Sequence, residues 1–388
     1  MARMGVSTAC TRFSSRTNGI LCKRLLTSSV VISQDSGLRI ISLNRQEELN
    51  SFDMDTANEL KRRLEAWSNN EMITTLVLQG RGGIYCGGID LDWLATHPES
   101  AGDLFATMGD VYSTVAQYSK PLVSMMNGDV SGAGLGLANT PYRVVTGGTR
   151  FAVPEASFGL VPDGPAVKML LRADNSSNLP MAAYLCLSGR FIDGAEMVHC
   201  GLATHIVDDA SVELISRHLS SISYASPQDL AIAIGDALSL FCDTNTNPTM
   251  AENAWNTVHK IDDTIEIDDR GPDHRDVLVE CFSCDSVVET WTRLEARASS
   301  SRWAELTLGG MQLVPPVALF ATRRLLEDSI ELSDTEAAAL AQKVALRLSS
   351  GSAFTNIVEN ASRGIRARQT TLEDLTAVSK AEVDALFS

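Results

Sequence analysis

The sequence lacks any apolar run of the roughly 18 to 20 residues that a membrane-spanning helix needs, so we expect no membrane crossing. Positive charge is also scarce: 32 Lys and Arg stand against 48 Asp and Glu, which gives a net charge of -16. This deficit argues against nucleic acid or an anionic membrane surface as the main partner. A small anionic ligand stays open, because it needs only a local cluster of positive groups.

A disulfide framework is missing, since the eight cysteines are scattered over 388 residues. This arrangement suits a reducing compartment. The single CxxC, from Cys281 to Cys284, has no second pair and no histidine at ligand spacing. We therefore expect neither a zinc site nor redox work there.

Acidic residues are absent before Asp35, whereas the first 30 residues carry several Arg and Lys among many Ser and Thr. That composition is typical of a mitochondrial transit peptide. We interpret residues 1–30 as a targeting segment and expect the protein in the mitochondrial matrix. A disordered basic tail is the alternative.

Strand and helix patterns alternate from residue 31 onward. Residues 38–43, 74–79, 121–125 and 142–146 have strand patterns, and residues 55–68 and 101–118 have helical apolar spacing. This order predicts an α/β fold with parallel crossovers and with binding loops at the strand ends.

Strand patterns almost vanish after the Ser-rich stretch 220–226. Residues 285–299, 316–327 and 333–348 have helical spacing, with Ser333 or Asp334 as the N-cap ahead of Glu336. We therefore predict a core at residues 31–225 and a helical C-terminal region at residues 226–388.

Two carboxylates, Glu155 and Asp163, lie eight residues apart in the otherwise uncharged stretch 151–163. Burial raises the pKa of an acid and makes it a usable general base or acid near neutral pH. The structural alternative is that each follows a proline in a turn, with Glu155 capping a helix and Asp163 holding a loop.

Two glycine-rich loops, residues 80–90 and 127–136, each follow a strand. Glycine permits close backbone approach, and a turn that leads into a helix leaves N–H groups free to bind an oxyanion. Each loop can supply one donor for a thioester or ester carbonyl. A phosphate loop is the rival interpretation, but the GxxxxGK[ST] pattern is absent.

The chain resembles the crotonase (enoyl-CoA hydratase/isomerase) superfamily, and within it the 3-hydroxyisobutyryl-CoA hydrolase branch. The matching pieces cover most of residues 31–210: 43–45 with 49–50, 85–91, 120–121, 127–137, 151–163 and 201–208. Residues 281–283, 315–319 and 364–367 resemble the C-terminal helices of the hydrolase branch.

The resemblance implies a crotonase-type ββα spiral core and a mitochondrial acyl-CoA thioester hydrolase of valine catabolism. It assigns the two oxyanion N–H groups to Gly87 and Ala133. It makes Glu155 the nucleophile or general base and gives Asp163 the hydroxyl and the proton traffic of the substrate. No metal is implied, and no cofactor beyond the coenzyme A of the substrate.

The chain also departs from the hydrolase pattern. Met108 and Gly109 stand where the branch has Glu-Tyr, Pro165 follows Asp163 where Gly is usual, and Arg363 replaces a Glu. The glutamate of hydratases is missing from 135–137, which disfavours simple hydration. Two alternatives stay open: hydration or isomerisation of another acyl-CoA, and a non-catalytic subunit of a mitochondrial complex. A homo-oligomer is also compatible with the resemblance.

Overall fold

The computed structural model describes residues 28–172, 179–222, 226–242, 274–363 and 369–388. Residues 1–27 of the predicted targeting segment lie outside this range, as does the C-terminal motif at 364–367.

The described strands form a six-stranded and a four-stranded sheet. One sheet has the order β1-β2-β3-β5-β7-β10 and the other β4-β6-β8-β9. The strands are β1 (Val30–Asp35), β2 (Leu38–Leu43), β3 (Thr75–Gly80), β4 (Ile84–Cys86), β5 (Leu122–Met126), β6 (Asp129–Ser131), β7 (Tyr142–Thr146), β8 (Arg150–Ala152), β9 (Ile192–Asp193) and β10 (His205–Val207).

From β3 to β8, consecutive strands belong alternately to the two sheets, so each repeat adds one strand to each sheet. The pairs β3–β5, β5–β7, β4–β6 and β6–β8 are all parallel. Only β1–β2 and β8–β9 are antiparallel pairs among the described strands. This is the ββα repeat that the sequence predicted.

The described helices connect the strands and then make up the C-terminal part. They are α1 (Met54–Ser68), α2 (Leu91–Thr96), α3 (Ala101–Ala116), α4 (Ala133–Leu137), α5 (Ala166–Leu171), α6 (Leu179–Ser188), α7 (Gly194–His199), α8 (Val212–Ser220), α9 (Pro227–Leu240), α10 (His274–Phe282), α11 (Val287–Ala298), α12 (Arg302–Met311), α13 (Pro316–Asp328), α14 (Asp334–Ser349), α15 (Ser352–Ser362), α16 (Leu372–Ala377) and α17 (Lys380–Phe387). Short 3-10 helices occupy Gln46–Glu48, Pro98–Ser100, Glu155–Phe158 and Asp209–Ser211.

Local sequence explains the ends of these helices. The Asp53 side chain accepts from the N–H of Thr56 and caps α1, and Ser333 and Glu336 form the predicted capping box of α14. The helix predicted over 101–118 ends two residues earlier, at Ala116.

The C-terminal helices pack onto the same hydrophobic core as the sheets. Tyr184 of α6 stacks on Trp303 of α12 with ring centroids 5.4 Å apart, and both residues belong to the cluster that holds the buried strand residues. The buried Lys168 Nζ donates to the carbonyls of Ser329 and Ile330 at 3.0 and 3.1 Å. The α/β class with a helical C-terminal region is confirmed, whereas the boundary at residue 225 stays a prediction.

Within the described ranges, no single helix is long and apolar enough to cross a membrane. By length and composition α12 and α13 pass such a test only as a pair, and the pair is bent by 105°.

Candidate active site

Glu155 opens the 3-10 helix that follows β8. The N-cap of this helix is Pro154, so Glu155 is not the capping residue that the structural alternative required. Although the residue is only half-buried, its Oε2 atom is buried and has no hydrogen-bond partner among the described residues. The helix therefore holds an unpaired carboxylate oxygen inside the protein.

The surroundings of Glu155 disfavour its charged form. Burial raises the pKa of Glu155 to about 8, and the negative charge of Asp163 adds to this rise. The backbone N–H groups of Glu155 and Ala133 face the carboxylate and lower the pKa in part. Glu155 therefore exchanges its proton near neutral pH, as a general base does.

Gly132 makes room for the Glu155 carboxylate. A Cβ at position 132 would lie 1.4 Å from Glu155 Oε1, far inside any permitted contact. The backbone φ of Gly132 is +41°, a region in which glycine is favoured. The second glycine-rich loop is thus shaped around the carboxylate that the sequence singled out.

Asp163 lies in the turn ahead of α5 and is 3% exposed. Its Oδ2 accepts a hydrogen bond of 2.8 Å from the Tyr112 hydroxyl, while Oδ1 is buried and has no partner in the described part of the chain. Burial raises the pKa of Asp163 to about 6, and the donors Tyr112 and the N–H of Gly164 limit this rise. Asp163 therefore ionises at lower pH than Glu155.

Tyr112 is the site residue that sequence reasoning missed. The buried residues of α3 are Ala101, Leu104, Phe105, Met108, Val111, Tyr112 and Val115. This spacing places Tyr112 on the core face, where a hydroxyl needs an acceptor. The helical pattern could therefore have identified a buried phenol, although not its partner.

The two predicted oxyanion donors both face an acceptor within the protein. The N–H of Gly87 donates to the carbonyl of Leu49 at 2.7 Å, and the N–H of Ala133 faces Glu155. Leu49 has a left-handed backbone with φ of 56° and is 56% exposed. An oxyanion between Gly87 and Ala133 requires the Leu49 carbonyl to turn away, and the role of both residues stays a prediction.

A single cavity brings three of the four predicted site residues together. Gly87, Glu155 and Asp163 line it, together with apolar side chains such as Phe105 and, from α14, Ala345. Its volume of about 40 Å³ is enough for a few water molecules only. An acyl group needs more space than this, so its entry requires the walls to move.

The residues that depart from the hydrolase pattern lie in different surroundings. Met108 is fully buried in the core. Pro165 is the N-cap of α5, where a missing N–H costs the helix nothing. Arg363 is exposed and pairs with Glu359 at 3.4 Å.

Both cysteines of the CxxC are buried at the end of α10. Cys284 Sγ donates to the carbonyl of Cys281 at 2.9 Å, and burial raises the pKa of Cys281 to about 11. Across the described ranges, no group of three or more His, Cys, Asp or Glu residues has the arrangement of a metal site.

A family model described as Enoyl-CoA hydratase/isomerase matches residues 38–387. Probable 3-hydroxyisobutyryl-CoA hydrolase 3 of Arabidopsis thaliana is 27% identical over 311 residues, which cover 78% of this chain and 75% of that protein. The mitochondrial 3-hydroxyisobutyryl-CoA hydrolase-like protein 1 of the same plant is 28% identical over 331 residues, or 81% of this chain and 75% of that protein.

Two further similarities point in different directions. Small ribosomal subunit protein mS47 of Arabidopsis thaliana is 26% identical over 321 residues, which cover 80% of this chain and 71% of that protein. The crystal structure of a carnitinyl-CoA dehydratase from Mycobacterium thermoresistibile superimposes with a TM-score of 0.74 at 22% identity, and covers 93% of this chain and 97% of that one. At this identity the structural likeness shows the fold alone.

Proposed function

The chain belongs to the enoyl-CoA hydratase/isomerase family, and we propose that it is an acyl-CoA thioester hydrolase of the 3-hydroxyisobutyryl-CoA hydrolase type. The observation that carries this proposal is a pair of carboxylate oxygens, Glu155 Oε2 and Asp163 Oδ1, which have no hydrogen-bond partner in the described part of the chain and belong to residues that line one cavity. A solvent-shielded carboxylate pair with unlike pKa values can divide the roles of base and hydroxyl acceptor.

In the proposed reaction, ionised Glu155 attacks the thioester carbonyl carbon, or removes a proton from a water that attacks it. The carbon–sulfur bond breaks, and the sulfur leaves as coenzyme A thiol after taking up a proton. Where Glu155 is the nucleophile, the acyl group is then bound to it as an anhydride, which water hydrolyses to free Glu155; in both routes the acyl group ends as a carboxylic acid. Asp163 Oδ1 accepts a hydrogen bond from the hydroxyl of the acyl chain, and Asp163 assists the proton transfer.

The carbonyl oxygen gains negative charge when the carbon is attacked. We assign its stabilisation to the N–H groups of Gly87 and Ala133, which become available once the Leu49 carbonyl and the Glu155 carboxylate give way to the substrate. Removal of one such donor typically costs about 3 kcal/mol of transition-state stabilisation.

The proposal predicts thiol release from 3-hydroxyacyl-CoA thioesters, measured with a thiol-reactive chromophore. Glu155→Gln removes the base, and we expect kcat to fall by roughly 10² to 10⁴. Wild-type kcat/KM should rise with pH through about 8, because Glu155 must lose its proton and its pKa is about 8.

Glu196 provides a matched control. It is also buried, its pKa is also raised to about 8 by burial, and it belongs to the capping box of α7. Glu196→Gln should retain the wild-type kcat. If no 3-hydroxyacyl-CoA releases thiol, or if Glu155→Gln is as fast as wild type, the proposed mechanism is wrong.

A second candidate is a non-catalytic subunit of a mitochondrial assembly, and the similarity to mS47 favours it. In that case the protein would sediment with the small ribosomal subunit, and Glu155→Gln would have no effect in cells. The basic, Ser-rich N-terminal segment and the mitochondrial relative support a location in the matrix under either candidate.

A further inference from the structure

The phenol of Tyr112 is buried beside the carboxylate pair. The family resemblance assigned no role to this residue. Tyr112 lies on α3, 51 residues before Asp163, and its hydroxyl donates to Asp163 Oδ2 at 2.8 Å. The side chain of Tyr112 is 2% exposed. Its hydroxyl therefore has no competition from bulk water, and the bond holds Asp163 in one orientation.

The ring of Tyr112 occupies a slot between two glycines. A Cβ at Gly164 would lie 3.0 Å from two ring carbons of Tyr112, and a Cβ at Gly136 would lie 3.0 Å from a third. Pro165 closes the same slot, 3.3 Å from that position at Gly136. A larger side chain at either glycine would push the ring away from Asp163.

The slot around Tyr112 bears on two differences between this chain and its family. They are the tyrosine missing at position 109 and the hydratase glutamate missing from 135–137. The resemblance placed a tyrosine at position 109, whereas here the tyrosine comes at 112, almost one helical turn later. Gly136 lies in the stretch where hydratases have their glutamate, and the Tyr112 ring fills the adjoining space. A glutamate at 136 could therefore not enter without moving Tyr112.

We propose that Tyr112 is a positioning residue, which holds Asp163 ionised with Oδ1 turned toward the acyl hydroxyl. The inference deepens the proposed hydrolase function and rests on it for the role of Oδ1. The hydrogen bond uses one carboxylate oxygen and leaves the other unpartnered within the described part of the chain. This bond, together with the N–H of Gly164 that also faces the carboxylate, orients Asp163 and leaves Oδ1 for the substrate.

Electrostatics agrees with this geometry. Burial raises the pKa of the Tyr112 phenol well above its usual value, and the charge of Asp163 raises it further, so Tyr112 remains a donor. The same bond lowers the pKa of Asp163 against the effect of burial. Asp163 therefore stays charged at neutral pH and helps to keep the pKa of Glu155 high.

Tyr112→Phe tests the inference by two independent readouts. In ¹³C NMR of aspartate-labelled protein, with Asp163→Asn used to assign the signal, we expect the Asp163 midpoint to rise by about one pH unit, because a hydrogen bond to the charged form is lost. In the kcat/KM profile, whose rise through about pH 8 follows Glu155, the steeper fall expected below the Asp163 midpoint should begin about one pH unit higher than in the wild type.

Tyr118→Phe is the matched control, because the Tyr118 hydroxyl donates to a backbone carbonyl, that of Leu64, at 3.0 Å. It should change neither the Asp163 midpoint nor the pH profile. An unchanged Asp163 midpoint in Tyr112→Phe would overturn the inference. A shifted midpoint in a protein without thioesterase activity would confirm the bond and refute the hydrolase function, so the two failures are distinguishable.

Discussion

The Glu155 carboxylate occupies the space that a side chain at position 132 would fill, so only glycine fits at this position. The loop backbone passes so close that a Cβ would overlap Oε1. This proximity is also what brings the N–H of Ala133 to face the carboxylate. The loop backbone therefore limits the positions that the Glu155 carboxylate can take.

Gly132→Ala should displace Glu155 and reduce thioester hydrolysis by about 10², the usual effect of moving a reacting group by 1 Å. Part of any stability loss comes from φ of +41° at position 132. Gly201→Ala is the control for that part, because φ is +73° there and a Cβ would have no neighbour within 4 Å. Gly201→Ala should lose about 1 kcal/mol of stability and keep its activity, whereas Gly132→Ala should lose more stability than this and should also lose activity in the thiol-release assay. Equal activities would contradict the close packing.

Helix α14, which we call the lid, lines the cavity through Ala345, and helix α13 precedes it in the chain. Their connection is fixed to the core by Lys168 of α5, whose ammonium donates to two carbonyls just after α13. A cation at a helix C-terminus also interacts favourably with the negative end of the helix dipole. One exposed ion pair, between Arg172 and Asp334, adds a second link at the start of α14.

Lys168→Met leaves the buried carbonyl of Ser329 and the part-buried carbonyl of Ile330 without their donor, which should lower the free energy of unfolding by about 1–3 kcal/mol. Arg172→Gln removes only the exposed pair and should cost less than about 1 kcal/mol. Urea unfolding of both variants measures the difference. A smaller effect for Lys168→Met than for Arg172→Gln would show that the lid is held by other contacts.

Within the described residues, the larger of two hydrophobic clusters contains both strand residues and C-terminal helix residues. Helix α6 explains why: Met181 to Ser188 are all buried, so the helix is covered on every side. Part of that cover comes from Phe282 of α10 and Trp303 of α12, which contact Tyr184. The α/β core therefore depends on the helices that follow it.

A chain that ends at residue 242 should expose Tyr184 and its neighbours and therefore aggregate. Size-exclusion chromatography and binding of a hydrophobic dye measure this directly. The full chain is the control for both measurements. A monomeric fragment with native circular dichroism would instead show that the predicted unit 31–225 is an independent domain.

Local elements were predictable because their causes are local. The strands 38–43 and 142–146 match the structure at both ends, since each is a short apolar run between turns. The capping box of Ser333 and Glu336 was also correct, because it depends on residues three positions apart. The sequence motifs were sufficient for the family as well, since they match its pattern in order.

The sequence alone thus determined four of the ten described strands to within one residue, the cap at Ser333, the family and the choice of Glu155 and Asp163 as candidates. Tertiary structure decided which groups surround them: Tyr112 on Asp163, the Leu49 carbonyl on Gly87, and Ala345 across the cavity. Each of these contacts joins segments that are far apart in the chain. No periodicity or motif records such a contact, because it depends on how the helices and sheets pack.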